Sequence, residues 1–113
     1  MRNKDLIEKQ INNFLLKPVT FKLNNKIVKK GKLKIFTIKQ FFIKFNLDIN
    51  NEIKVFEVPY PYKIHETPNS LMFEYTLSSF CNSNSSELFY KLKTTNKKTS
   101  NKMYDNFLYM LTE

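Results

Sequence analysis

The chain has 113 residues and a formal net charge of +9, from 19 basic and 10 acidic residues. Its single Cys, His and Gly exclude an internal disulfide, a four-ligand His/Cys zinc site and a glycine-rich phosphate-binding loop. The 42% hydrophobic content, with 15% aromatic residues, is enough for a small core, and we expect residues 1–113 to form a single domain.

The first nine residues are polar and contain no apolar stretch of the kind that signal peptides need. No apolar run approaches the roughly 18 residues that a membrane-spanning helix requires. We therefore expect a protein that is not secreted, that is soluble inside the cell, in the cytoplasm or an organelle, and that has no membrane partner.

The first predicted element is a helix over residues 3–16. An apolar stripe recurs there at helical spacing, formed by Ile7, Ile11, Phe14 and Leu15. Asn3 is a suitable N-cap, and Pro18 ends the helix because the residue before a proline avoids the helical conformation.

The next region predicts about six short strands. Apolar and polar residues alternate over 19–23, 26–30, 32–47, 52–58, 62–65 and 71–77, the third of these being one bent strand or two strands that meet near Lys39. Short turns separate neighbouring strands, which favours an antiparallel sheet because parallel pairs need long crossovers.

The chain after Cys81 predicts two helices. One is short and follows the polar loop 82–86, and the last has a stripe of Met103, Phe107, Met110 and Leu111. The predicted fold class is therefore α+β, with an N-terminal helix, an antiparallel sheet of about six strands and two C-terminal helices. The alternative is a small curled β-barrel with flanking helices.

The positive charge is concentrated in one part of the chain. Residue types with A/T-rich codons, which include lysine, account for 62 residues, so we expect an AT-rich gene in which codon drift accounts for part of the lysine excess. Drift scatters lysines among acids, whereas residues 9–47 carry ten lysines and no acid, and residues 48–90 carry six acids and two lysines. This asymmetry predicts a basic face.

Lysines and phenylalanines alternate with the core positions of the central strands, a pattern typical of sheets that bind nucleic acid. We predict a small basic accessory protein that binds nucleic acid or a nucleoprotein through Lys22, Lys26, Lys29, Lys30, Lys32, Lys34, Phe36, Phe42 and Lys44. Binding is expected to be weakly sequence-specific, because lysine is a point charge and the chain has one arginine. The alternative is a solvated lysine face whose phenylalanines are covered by a terminal helix.

A second hypothesis is a structural or adaptor subunit of a larger assembly, such as a phage, viral or organellar particle. It docks through the predicted last helix and the corner at Pro59–Tyr62, with partner-binding residues Tyr60, Tyr62, Tyr104, Phe107, Leu108 and Leu111. The alternative for the corner is a purely structural break between two strands.

Enzymatic motifs are weak. The triplet Glu52-Ile53-Lys54 matches half of a metal-dependent nuclease strand, which makes such a nuclease a distant alternative. Glu74 could supply the second acid that the site needs, but nothing in the sequence requires it. Cys81 and His65 lack a third catalytic partner, and a lone Cys is more often a small buried hydrophobe. We expect no enzymatic activity, no cofactor and no metal site.

Overall fold

One helix and seven strands make up the part of the chain that the computed structural model describes, residues 4–23, 26–75 and 107–112. The helix is α1 (Lys4–Asn12). The strands are β1 (Pro18–Leu23), β2 (Lys26–Ile38), β3 (Phe42–Ile49), β4 (Glu52–Pro59), β5 (Lys63–Thr67), β6 (Ser70–Glu74) and β7 (Phe107–Thr112).

All seven strands belong to one antiparallel sheet with the order β4-β3-β2-β1-β7-β6-β5. The strands β1 to β4 follow one another as hairpins, and β5 and β6 form a further hairpin. Strand β7 is hydrogen-bonded to β1 on one side and to β6 on the other. It therefore joins the two groups of hairpins into a single sheet.

The predicted α+β class with two C-terminal helices is wrong, because the described chain is mostly sheet with one short helix. The described residues of the predicted last helix form β7, whose buried residues Leu108 and Met110 alternate with half-buried ones. Residues 107–111 are all apolar or aromatic, so the segment has no polar face and its sequence fits a helical period as well as a strand period. The other predicted C-terminal helix lies outside the described residues.

The sheet is strongly curled. The ring centroids of Phe45 on β3 and Phe73 on β6 are 6.4 Å apart, although three strands separate β3 from β6. In a flat sheet the two strands would be roughly 19 Å apart, at about 4.8 Å per strand. The sheet therefore folds over so that both rings point into a shared concave face.

The curl does not close into a barrel, so the alternative of a small β-barrel is also wrong. Strands β4 and β5 are the two edges of the sheet and are not paired with each other. Only residues 60–62 connect them, which keeps these two edges near each other at one end. The open curl leaves an edge on each side.

The concave face contains the hydrophobic core. Phe21 packs at its centre, with ring centroids 4.9 Å from Phe45 and 4.8 Å from Phe56. Helix α1 covers this face with Ile7 and Ile11, which confirms the N-terminal helix and the first two residues of its predicted apolar stripe. The helix ends at Asn12, earlier than predicted, and a turn over 13–16 leads into β1.

One buried hydrogen bond links the two halves of the curl. The Tyr75 hydroxyl, directly after β6, donates to the Pro59 carbonyl at the end of β4 over 2.8 Å. The Tyr75 side chain is almost completely buried, and this burial raises its pKa well above the ordinary value.

We expect Tyr75→Phe to lower the free energy of unfolding by about 1–2 kcal/mol, because the buried Pro59 carbonyl loses a donor. The effect should depend on pH. Since the folded pKa of Tyr75 is raised, the unfolded state ionises first, and wild-type stability falls as pH rises above about 10. Urea unfolding at neutral and alkaline pH measures both effects, and the variant should show a smaller alkaline loss than wild type.

We also expect Gly31→Ala to destabilise the sheet by about 1–3 kcal/mol, because the strands leave no room for a side chain there. A Cβ atom at Gly31 would lie 2.8 Å from Ile49 Cγ1 and 3.0 Å from the Asp48 carbonyl oxygen. Lys32→Ala, on the exposed side of the same strand, is the matched control. Equal unfolding midpoints for the two variants would contradict this packing.

Candidate nucleic-acid interface

A bulge in β2 decides which residues of this strand face outward. Leu33 pairs with Leu47 and Ile35 pairs with Asn46, so Lys34 is an extra residue on β2. Such a bulge shifts the alternation of the strand by one residue. Consequently Leu33 is buried before the bulge, and Phe36 packs against the core after it.

Four lysines from three adjacent strands lie on the convex side of the sheet, away from the core. This lysine face consists of Lys22 on β1, Lys30 and Lys32 on β2, and Lys44 on β3. Lys22 and Lys44 each lie between two buried residues of their own strand, so the alternation turns both of them outward. Lys34 is exposed at the bulge.

Three other predicted binding residues, Lys26, Lys29 and Phe36, lie elsewhere. Lys29 pairs with Phe21 and its Nζ lies 5.9 Å from the centroid of the Phe56 ring on the concave side, within cation–π range. Lys26 is exposed at the start of β2, opposite Leu23. The prediction that Phe36 shares a face with the lysines is wrong, because the bulge at Lys34 turns it toward the core.

The charge distribution across the sheet is uneven. The strands β1, β2 and β3 carry seven lysines and one acid, Asp48, whereas β4, β5 and β6 carry two lysines and four glutamates. Two acids border the lysine face, since Asp48 pairs with Lys32 and Glu57 pairs with Lys44. The strands β1, β2 and β3 therefore form a basic region, and Glu57 on β4 lies next to it.

Two aromatic residues whose side chains the structure describes have the parity of the lysine face. Phe42 is half-buried at the start of β3, opposite the buried Pro59. Tyr109 is half-buried on β7, directly opposite Lys22 on β1 and Met72 on β6. Sequence reasoning missed Tyr109 as a neighbour of Lys22 because it assigned this residue to a helix. The alternation of Leu108 and Met110 around it was the available signal.

The predicted partner-binding residues that the structure describes lie in two places, on β7 and at the corner after β4. Leu108 is buried and Leu111 half-buried within β7, and Phe107 begins this strand, while Tyr104 lies outside the described residues. At the corner, Tyr60 packs against the core and Tyr62 is 62% exposed. Pro59 and Pro61 are also buried there, which favours a structural role for the corner.

The described residues behind the enzymatic alternatives form two ion pairs. Glu52 and Lys54 form a 3.0 Å ion pair with each other at the exposed end of β4. His65 Nε2 lies 2.8 Å from Glu74 Oε1, and Cys81 is outside the described residues. Within residues 4–23, 26–75 and 107–112, no three His, Cys, Asp or Glu side chains are grouped to hold a metal ion.

The described part of the chain contains no helix that is both long and apolar enough to span a bilayer. Comparisons with models of protein families, with curated proteins and with solved structures give no match to this chain. The interpretation of the lysine face therefore depends on its own geometry and charge.

The change of alternation at the bulge can be tested by measuring the free energy of unfolding of two variants. Phe36→Ala should lower the free energy of unfolding by about 2 kcal/mol, because Phe36 packs against the core. Ile35→Ala should change it little, because Ile35 is 56% exposed on the convex side. Denaturant unfolding of the two variants gives the comparison. The opposite ranking would mean that β2 keeps one alternation throughout, with Phe36 among the lysines.

Proposed function

We propose that this protein binds nucleic acid through the lysine face and contacts mainly the phosphate backbone. The observation that carries the proposal is the convergence of Lys22, Lys30, Lys32 and Lys44 on one side of three adjacent strands. Neighbouring strands are about 4.8 Å apart, and residues two apart on a strand are about 7 Å apart. Four ammonium groups at these spacings form a compact site of positive charge for a polyanion.

The composition of the lysine face favours contact with the phosphates of the nucleic acid over recognition of its bases. Lysine offers a point charge rather than the planar pair of donors with which arginine reads a guanine edge. Phe36 packs against the core, and the two aromatic residues described on the lysine side, Phe42 and Tyr109, are half-buried, which limits stacking on bases. We therefore expect weak sequence specificity and a modest difference in affinity between single-stranded and double-stranded ligands.

No observation favours the adaptor hypothesis over this proposal. That hypothesis requires a docking helix that includes residues 107–111, but these residues belong to strand β7 inside the sheet. An assembly partner that carries nucleic acid remains compatible with the proposal, because a nucleoprotein presents the same phosphates to the lysine face.

The proposal predicts the effect of neutralising one lysine on each strand. The triple variant Lys22→Gln, Lys32→Gln and Lys44→Gln should bind a labelled oligonucleotide at least tenfold more weakly at low salt, and its affinity should depend less steeply on salt concentration. Fluorescence anisotropy over a salt series measures both quantities. Single-stranded and duplex oligonucleotides of unrelated sequences are the ligands.

A control variant with the same net charge distinguishes the effect of losing the lysine face from the effect of lowering the overall charge. The triple variant Lys4→Gln, Lys9→Gln and Lys63→Gln removes three exposed lysines that lie outside β1, β2 and β3. It should keep most of the wild-type affinity and salt dependence. Equal losses in the two triple variants, or no binding by the wild-type protein, would refute the lysine face as the binding site.

A further inference from the structure

Within the described part of the chain, the first half of edge strand β4 is open. Residues 52–55 are all exposed, and Ile53 and Val55 are each 53% exposed. The second half of the strand is different, since Phe56 and Val58 are buried. Among the described strands, β4 is hydrogen-bonded only to β3. An exposed edge of this kind presents unpaired main-chain groups that another strand can pair with.

The turn before β4 shows which residue presents those groups. Asn50 and Asn51 both have positive φ, 55° and 67°, and they connect the paired residues Ile49 and Glu52. This is a two-residue type I′ hairpin turn, in which the N–H of Glu52 points to the carbonyl of Ile49. Because main-chain groups alternate along a strand, the N–H and carbonyl of Ile53 point away from β3, to the open edge.

The side chains around Ile53 carry opposite charges. Glu52 and Lys54 share one face of the strand, where Lys54 Nζ and Glu52 Oε1 are 3.0 Å apart and both side chains are more than half exposed. Ile53 lies on the other face. A second copy of this segment, running antiparallel and centred on Ile53, would present a lysine to this glutamate and a glutamate to this lysine.

We propose that two copies of this protein associate edge to edge through β4, about a two-fold axis at Ile53. Ile53 exchanges both main-chain hydrogen bonds with the partner's Ile53, and the two side chains pack together. On the opposite face, Glu52 pairs with the partner's Lys54 and Lys54 pairs with the partner's Glu52. These flanking positions are the non-hydrogen-bonded pairs, in which facing side chains are closest.

The charges also specify this register. Pairing centred on Glu52 would bring two glutamates face to face, and pairing centred on Lys54 would bring two lysines face to face. Like charges directly opposite each other destabilise a strand pair. The pattern Glu-Ile-Lys therefore disfavours both neighbouring registers and permits the one centred on Ile53, which is how charged edge strands limit unwanted pairing.

The other edge of the sheet is less suitable. Strand β5 has five residues against eight in β4. Helix α1 also contacts β5, where Gln10 Nε2 donates to Glu66 Oε1 over 3.4 Å.

The proposed dimer does not depend on the proposed function. A two-fold axis normal to the sheet would nevertheless place the lysine faces of both copies on the same side of the dimer.

Charge reversal tests the pairing. Sedimentation velocity over a wide concentration range should show a monomer–dimer equilibrium for the wild-type protein. Lys54→Glu alone and Glu52→Lys alone should each weaken dimerisation about tenfold, because two attractive contacts become repulsive. The double variant Glu52→Lys/Lys54→Glu should restore it, because Lys-Ile-Glu is equally complementary to itself. An equimolar mixture of the two single variants should form a heterodimer.

Two controls keep the test decisive. Lys63→Glu reverses a charge on β5 and should leave dimerisation unchanged, and circular dichroism checks that every variant is folded. A wild-type protein that stays monomeric throughout the concentration range would overturn the proposal. So would a dimer that is unaffected by the single reversals, or a double variant that is no better than either of them.

Discussion

The contact between aromatic rings on the concave face is the interaction on which the other features depend. Phe45 and Phe73 can meet only if a seven-stranded sheet curls, and the curl gives Phe21, Val58 and Met110 one shared interior. Once that face is filled, strand alternation leaves the convex side to the lysines. The outward placement of the lysines is thus a geometric result of the core.

Local patterns predicted the elements whose two faces differ in polarity. Ile7 and Ile11 have a clear helical period, and residues 19–23 and 71–75 have a clear strand period, so α1, β1 and β6 lie close to where the sequence indicated. The prediction failed for 107–112, because the segment is apolar on both sides and its position between β1 and β6 depends on pairing with distant strands. No local pattern contains that information.

The candidate site also contains residues that the sequence placed correctly and one that it did not. Lys22, Lys30, Lys32 and Lys44 follow simple alternation, and all four could be placed on one face from the sequence. Phe36 could not, since a single extra residue at position 34 reverses the parity of the later residues in β2. The location of a bulge depends on the register with β3, and the neighbouring lysines give no sign of it.

The position of β7 in the sheet has a consequence for how the chain folds while it is being synthesised. This strand completes the centre of the sheet, yet residues 75–106 separate it from β6 in sequence. A ribosome making the chain releases β1 to β6 first, as two hairpin groups that each have an unsatisfied inner edge. Until residues 107–112 emerge, those edges are exposed to the rest of the cell. Unpaired edges of this kind can pair with other chains, so aggregation is favoured until β7 takes its place in the sheet.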